Sequence, residues 1–206
     1  MSTDPPWQII VPVKCTHLAK TRLQPPPGVS RAALAHAMTR DTLSAAAQTV
    51  GPSQVIVVTS DAAVSVDAHA VGIATLPDPG HGLNHAILAG LRWRPAHRQA
   101  VLLADLPALR PSELIDALRL CADHPVAVVT DHDGTGTSLL TGCGALLRPY
   151  FGPGSAQLHR DRLGAVSVHP QAPGLRRDVD DSEDLRAALE LGVGPHTLTA
   201  LRGPLG

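Results

Sequence analysis

The strongest constraint on how this chain can fold is a set of short apolar runs with no polar residue at alternate positions. Residues 54–59 read Gln-Val-Ile-Val-Val-Thr. A strand with one wet face alternates apolar and polar residues, whereas a strand covered on both faces does not. The same character marks residues 8–13, 100–104 and 126–130, and a shorter stretch at 73–76. Helical patterns lie between them. Residues 31–50 follow Ser30 as an N-cap, Asp61 caps a helix reaching about residue 70, and further helices are expected at 83–93 and at 111–121, the last with a proline at its start. Strand-helix-strand units of this kind predict an α/β fold with a mainly parallel, mixed central sheet flanked by helices. Beyond residue 130 the expected elements are short strands at 138–140 and 165–168 and helices at 155–163 and 182–191. With no internal repeat and no long linker, residues 1–206 read as a single domain.

Composition removes several classes of function. Aromatic residues make up 2% of the chain (Trp7, Trp93, Tyr150 and Phe151), so it lacks the stacking platforms that single-stranded nucleic acid needs. Net charge is -1 with no long basic block, which argues against a phosphate-backbone footprint and hence against a nucleic-acid partner. Cys15, Cys121 and Cys143 are far apart and form no CxxC pair, which suits a reducing cytoplasm and gives no zinc framework. The first apolar run ends at Lys14 and is too short for a signal peptide or a membrane span, so a cytoplasmic protein with no membrane partner is expected.

In open α/β sheets ligands bind beyond the carboxyl ends of the strands, and the chain places polar clusters there. The only two lysines, Lys14 and Lys20, stand with Arg22 just after the first strand. Three cations at that edge suit a triphosphate; the alternative is an ordinary solvated loop. Asp105 is the first charge after the 100–104 run, where a carboxylate either holds Mg²⁺ against a phosphate or caps a helix. In Arg177-Asp178-Val179-Asp180-Asp181, extended backbone puts Asp178 and Asp180 on one side. Two converging carboxylates repel unless a cation lies between them; the alternative is an acidic first helical turn, a job for which Asp181 and Asp184 are better placed. Residues 131–138 form a Gly-rich stretch with threonine donors, readable as an anion loop or a hairpin turn. Residues 151–155 (Phe-Gly-Pro-Gly-Ser) precede a helix and read as a phosphate cradle or a capped turn, with His159 and Arg160 one turn further on. No Gly-x-Ser-x-Gly elbow, Cys-His pair or histidine metal spacing is present.

The order of these motifs is more specific than any one of them: Pro-Val-Lys-x5-Ala-Lys-Thr-Arg-Leu, Gly82-Leu83-Asn84, Ala104-Asp105-Leu106-Pro107, Asp133-Gly134-x-Gly136-Thr137, Phe151-Gly152-x-Gly154-Ser155 and Asp178-Val179-Asp180. From about residue 9 to 191 the chain resembles the CofC/FbiD family, guanylyltransferases of coenzyme F-420 biosynthesis. The resemblance implies a Rossmann-like nucleotidyltransferase fold. It implies transfer of GMP from GTP to a phospho-acid with release of pyrophosphate, and a product passed to a downstream transferase of the same pathway. Archaeal members use 2-phospho-L-lactate and actinobacterial ones phosphoenolpyruvate, and this Arg-rich, Lys-poor chain resembles the latter. By motif, Thr137, Gly152 and Ser155 fall where the family binds phosphoenolpyruvate, and Asp105, Asp178 and Asp180 where it holds Mg²⁺. Lys14, Lys20 and Arg22 fall in the nucleotide-binding loop. With Asp105 they form the expected catalytic set, and Asn84 is a candidate for guanine selection. An anionic acceptor needs no strong general base, so a site rich in Asp, Lys and Arg fits this chemistry.

Rival readings are weaker. A molybdopterin or sugar nucleotidyltransferase typically has a Gly-rich loop before its basic residues, and residues 11–20 contain no glycine. A phosphohydrolase with Asp105 as nucleophile would want a second aspartate at position 107, which is Pro107. A non-catalytic nucleotide-binding regulator would not need all three carboxylates. 2-Phospho-L-lactate and 3-phosphoglycerate remain alternatives as acceptor.

Overall fold

The computed structural model describes residues 7–15, 20, 22–143 and 146–202. Seven strands form one sheet: β1 (Trp7–Val13), β2 (Val55–Thr59), β3 (Ala74–Leu76), β4 (Arg98–Leu102), β5 (Val126–Thr130), β6 (Thr137–Cys143) and β7 (Val166–Ser167), in the order β3-β2-β1-β4-β6-β5-β7. β1 runs parallel to β2 and β4, β2 to β3, and β5 to β7; β6 is antiparallel to both β4 and β5.

Every residue of β2 and β5 is buried, which is why their sequences do not alternate. The period of two survives as a choice between two cores. Ile9, Val11 and Val13 enter one cluster, with Leu43 and Ala46 from α1 (Arg31–Val50) and Leu114 and Leu118 from α4 (Pro111–Cys121). Ile10 enters the other, with Ala86, Ile87 and Leu91 from α3 (Leu83–Trp93). Each fully buried valine, leucine or isoleucine among them contributes roughly 1.5–3 kcal/mol. Close approach on the second face depends on Gly90: a Cβ there would lie 2.5 Å from Ile10 Cγ2.

Local signals set the helix starts. Ser30 accepts a bond from Ala33 N–H, and Asp61 accepts from Ala63 and Val64 at the start of α2 (Ala62–Ala70). The later helices are α5 (Ser155–Leu163), α6 (Pro173–Arg176), α7 (Ser182–Leu191) and α8 (Pro195–Leu201). Two of these, α6 and α8, were not expected: each is short and starts at a proline, too brief for periodicity to show. β6 is also longer than the 138–140 expected, and β4 ends at Leu102 before the turn that carries Asp105. Among the described residues no helix is long and apolar enough to cross a membrane.

The topology positions the site. β1, β4 and β5 end at one edge of the sheet, and the antiparallel β6 begins there with Thr137. Lys14, Asp105, Asp131 and Thr137 therefore share that edge.

Candidate active site

β1 delivers Lys14, exposed, to a cleft of about 120 Å³ lined also by Asp78, Gly80, Gly82 and Leu83. The middle of the basic loop, residues 16–19 and residue 21, lies outside the described residues. Lys20 has a φ of 56°, uncommon away from glycine. Its ammonium donates to Asp105 Oδ2, and to Asp180 Oδ1 at 2.6 Å. Arg22 Nη2 donates to the other oxygen of Asp180 at 3.1 Å. The Lys20 side chain is only 11% exposed, against 72% for Arg22, so Lys20 is the inner cation. Burial works to lower its proton affinity, but Asp105 and then Asp180 outweigh that and raise it. Asp180 shows the converse: burial pushes its carboxyl up, and Lys20 and Arg22 more than offset this and hold it below the usual range.

Val179 is buried and its N–H bonds to Asp105 O at 3.1 Å, which ties the Asp178–Asp180 segment to the turn after β4. The capping role falls to neighbours. Asp181 accepts from Glu183 and Asp184 N–H, and the Asp184 carboxylate accepts from the N–H groups of Asp180 and Asp181. Asp178 and Asp180 are thus not needed to cap α7. Nor does Asp105 cap α4, where Glu113 accepts from Arg110 N–H.

Asp178 is pushed up to about 7, first by burial and then by the charge of Asp105, with Asp180 and Asp131 adding to it. Asp105 Oδ1 is buried without a hydrogen-bond partner. An orphaned carboxylate oxygen together with a carboxyl that burial and neighbouring carboxylates push up is a donor set that fits a hard divalent cation. The set is not preassembled: among the described residues no three His, Cys, Asp or Glu side chains stand together in ligating geometry, and the Lys20 ammonium bridges Asp105 and Asp180.

On the other side of the edge, Thr137 opens β6 and Ser155 opens α5, with both side chains buried. Ser155 Oγ donates to Thr137 Oγ1 at 3.1 Å, and His159 Nδ1 lies 3.0 Å from the same oxygen. Gly152 has a φ of 141°, and a Cβ there would meet nothing within 4 Å. Asn84 holds this turn by its backbone, donating to Phe151 O at 3.0 Å and accepting from Phe151 N–H at 2.8 Å. Its amide therefore positions Phe151 and Gly152 in this structure. The 131–136 loop resolves as a hairpin turn. Asp131 accepts from the N–H groups of Thr135 and Gly136, at 3.0 and 2.8 Å, so those donors are engaged internally. A Cβ on Gly136 would lie 2.2 Å from Asp131 Oδ2.

Residues 33–170 match the MobA-like NTP transferase domain family, a match that begins beyond the basic loop. Over 96% of its length the chain is 47% identical to a phosphoenolpyruvate guanylyltransferase from Geodermatophilus obscurus, covering 94% of that protein. It is 43% identical to another so named from Streptomyces scabiei, with 94% of this chain and 95% of that one covered. The chain belongs to the phosphoenolpyruvate guanylyltransferase family. At 18% identity a protein described as a nucleotide-diphospho-sugar transferase, from Desulfovibrio desulfuricans, shares the fold with a TM-score of 0.65 over 95% of this chain and 94% of that one. A CMP:2-keto-3-deoxy-manno-octonic acid synthetase shares it at 16% identity, with a TM-score of 0.54 over 96% and 99% of the two chains. The expected nucleotidyltransferase fold is thus present in this guanylyltransferase.

Two features of this family member were not read from the sequence. Arg176 donates to Thr130 O at 3.1 Å and Asp131 O at 2.8 Å, pinning the end of β5. His159, which the sequence places only one turn beyond residues 151–155, is fully buried and bonded through both ring nitrogens. One turn of helix separates Ser155 from His159, and that i, i+4 spacing was the available signal.

Proposed function

We propose that this protein is a phosphoenolpyruvate guanylyltransferase, which joins GMP from GTP to phosphoenolpyruvate and releases pyrophosphate. The observation that carries the reading is the near-full-length identity of 47% to a relative of that name. The chemistry of the sheet edge agrees with it. A phosphate oxygen of the acceptor attacks the α-phosphorus of GTP, and the bond from that phosphorus to the bridging oxygen breaks. The attacking oxygen is already anionic, so the protein's task is to bring two polyanions together and to steady the leaving pyrophosphate. Lys14, Lys20 and Arg22 neutralise the triphosphate. Thr137 and the backbone at Gly152 hold the acceptor, and Ser155 acts on it through the hydrogen bond it donates to Thr137 Oγ1. Asp105, Asp178 and Asp180 would hold Mg²⁺, which when bound supplies charge neutralisation on the phosphates. Asn84 reaches the acceptor side through Phe151, and a direct contact with guanine would require it to release that backbone. The product, enolpyruvyl-diphospho-guanosine, would pass to a downstream transferase of coenzyme F-420 biosynthesis in the cytoplasm.

The test is pyrophosphate release from GTP with Mg²⁺ and a panel of phosphoenolpyruvate, 2-phospho-L-lactate and 3-phosphoglycerate, with the adduct identified by mass. Phosphoenolpyruvate should give the highest kcat/KM. No pyrophosphate with any acceptor would leave a nucleotide-binding regulator, and orthophosphate formed without GTP would point to a hydrolase.

A further inference from the structure

We propose that His159 is a positioning residue for the acceptor site: its Nδ1–H fixes the Thr137 hydroxyl so that the Thr137 proton is directed to the bound phospho-acid. The inference rests on the acceptor-site reading above. His159 lies one turn into α5 and is fully buried. Its Nε2 faces the backbone N–H of Tyr150 at 3.0 Å. An amide N–H only donates, so Nε2 must keep its lone pair, and a neutral ring then carries its proton on Nδ1. Nδ1 stands 3.0 Å from Thr137 Oγ1, which therefore accepts there. Ser155 Oγ donates to the same oxygen at 3.1 Å. Two donated bonds occupy both lone pairs of Thr137 Oγ1, leaving its own O–H with one direction.

A hydroxyl held in that way can give a hydrogen bond and cannot receive one. It is matched to an anion before the anion arrives, which lowers the ordering cost of binding. A lone threonine hydroxyl would rotate and would accept as readily as donate. Burial keeps the ring uncharged by pushing His159 down to about 4, so the tautomer argument holds near neutral pH. The Phe151 ring packs edge-on against the imidazole, 5.0 Å between centroids, and Asn84 grips the Phe151 backbone. A chain of contacts thus runs from the start of α3 through Phe151 and His159 to Thr137.

Nitrogen-15 NMR on the full chain labelled at histidine, without substrate, reads the tautomer directly. The expected result is a protonated Nδ1 and a bare Nε2 for His159; a protonated Nε2, or a pair in fast exchange, overturns the proposal. Steady-state kinetics with phosphoenolpyruvate and GTP supply the second arm. His159→Phe keeps ring volume and removes the donor, and should raise the KM for phosphoenolpyruvate roughly tenfold, the size of one hydrogen bond to an ionised group. The KM for GTP should stay within about twofold. His159→Asn, whose amide nitrogen can stand near the Nδ1 position, should recover most of that loss. Equal changes in both KM values, or no recovery in the asparagine variant, overturn the proposal. If the phenylalanine variant does not fold, the asparagine variant and the tautomer still decide. Should Nδ1 be protonated while Thr137→Val leaves the phosphoenolpyruvate KM unchanged, the acceptor-site reading has failed and the positioning role falls with it.

Discussion

Asp178 and Asp180 are two residues apart, yet their surroundings drive the two carboxyls in opposite directions. Asp180 is held below the usual range by Lys20 and Arg22, against the effect of burial. Asp178 has no such ion pair among the described residues and is pushed up to about 7 by burial and by Asp105. The unfolded chain releases the Asp178 proton near 3.8, so between there and about 7 the folded chain binds a proton that the unfolded chain does not. Stability from this group is therefore fully present below about pH 4, falls as pH rises, and is lost above about pH 7. Thermal melts in EDTA from about pH 4 to about pH 8 should show this fall, and Asp178→Asn should flatten it; an unchanged slope in the variant would assign it to another group. Added Mg²⁺ should raise the wild-type Tm more at the alkaline end of that series, where Asp178 is ionised. Asp105→Asn, Asp178→Asn and Asp180→Asn should each lower turnover about 100-fold or more, and full activity in excess EDTA would remove the metal from the mechanism. Gly152 makes a different case. Its φ of 141° disfavours any side chain, but a Cβ would meet nothing within 4 Å. Gly152→Val should cost roughly 1–3 kcal/mol of backbone strain yet leave the fold intact. The KM for phosphoenolpyruvate should rise as the added methyls enter the acceptor's side of the turn, measured beside an unfolding curve. An unaltered KM would move the acceptor elsewhere.

Among the elements, those with a local signal were legible. Ser30, Asp61 and Asp181 each announced a helix start, and the β-branched runs announced β2 and β5. The antiparallel direction of β6 was not legible, because direction depends on which neighbours a strand finds. Nor was α8, whose seven residues depend on tertiary contact. The contact is Asp41 of α1, 5% exposed, whose carboxylate accepts from His196 N–H at 3.0 Å and Thr197 N–H at 2.8 Å. A side chain from one helix thus caps another 155 residues further along the chain. Gly194 allows the approach, since a Cβ there would lie 2.4 Å from Asp41 Cγ. Asp41→Ala removes the acceptor and leaves two helix-terminal N–H groups short of partners, which should cost about 1–3 kcal/mol. Urea unfolding should show the loss in midpoint, and turnover should be read per folded molecule, because the N-cap Gly194 donates to Pro107 O at 2.9 Å in the turn that carries Asp105. Wild-type stability in that variant would mean that water caps α8 as well as Asp41 does.

For the molecule as a whole, the sheet edge explains why the candidate site was only partly readable. Each polar cluster could be placed at a strand end from the sequence, but which clusters meet depends on strand order. The order β1-β4 brings the first loop beside Asp105, and the Val179–Asp105 backbone bond brings in Asp180. Lys20 closes the arrangement across separations of 85 and 160 residues. The two lysines, alike in the sequence, consequently differ in the fold: Lys14 is exposed at the cleft beside Gly80 and Gly82, whereas Lys20 is half-buried between carboxylates. Both substitutions to alanine should raise the KM for GTP and leave phosphoenolpyruvate binding largely intact. Only one should affect stability. Lys14→Ala removes an exposed side chain and should stay within about 0.5 kcal/mol of wild type. Lys20→Ala leaves Asp105 and Asp180 facing each other without their shared cation, and should lose roughly 1–3 kcal/mol in metal-free buffer. Since Asp105 then lacks its cation, Asp180 keeps only Arg22, and both carboxylates are assigned to the metal, millimolar Mg²⁺ should restore more stability to Lys20→Ala than it adds to wild type. Unfolding curves of both variants with and without Mg²⁺ measure this. Equal Mg²⁺ responses in Lys20→Ala and wild type would separate the lysine's partners from the metal's ligands, and would leave Asp178 as the carboxylate around which a cation site would have to be rebuilt.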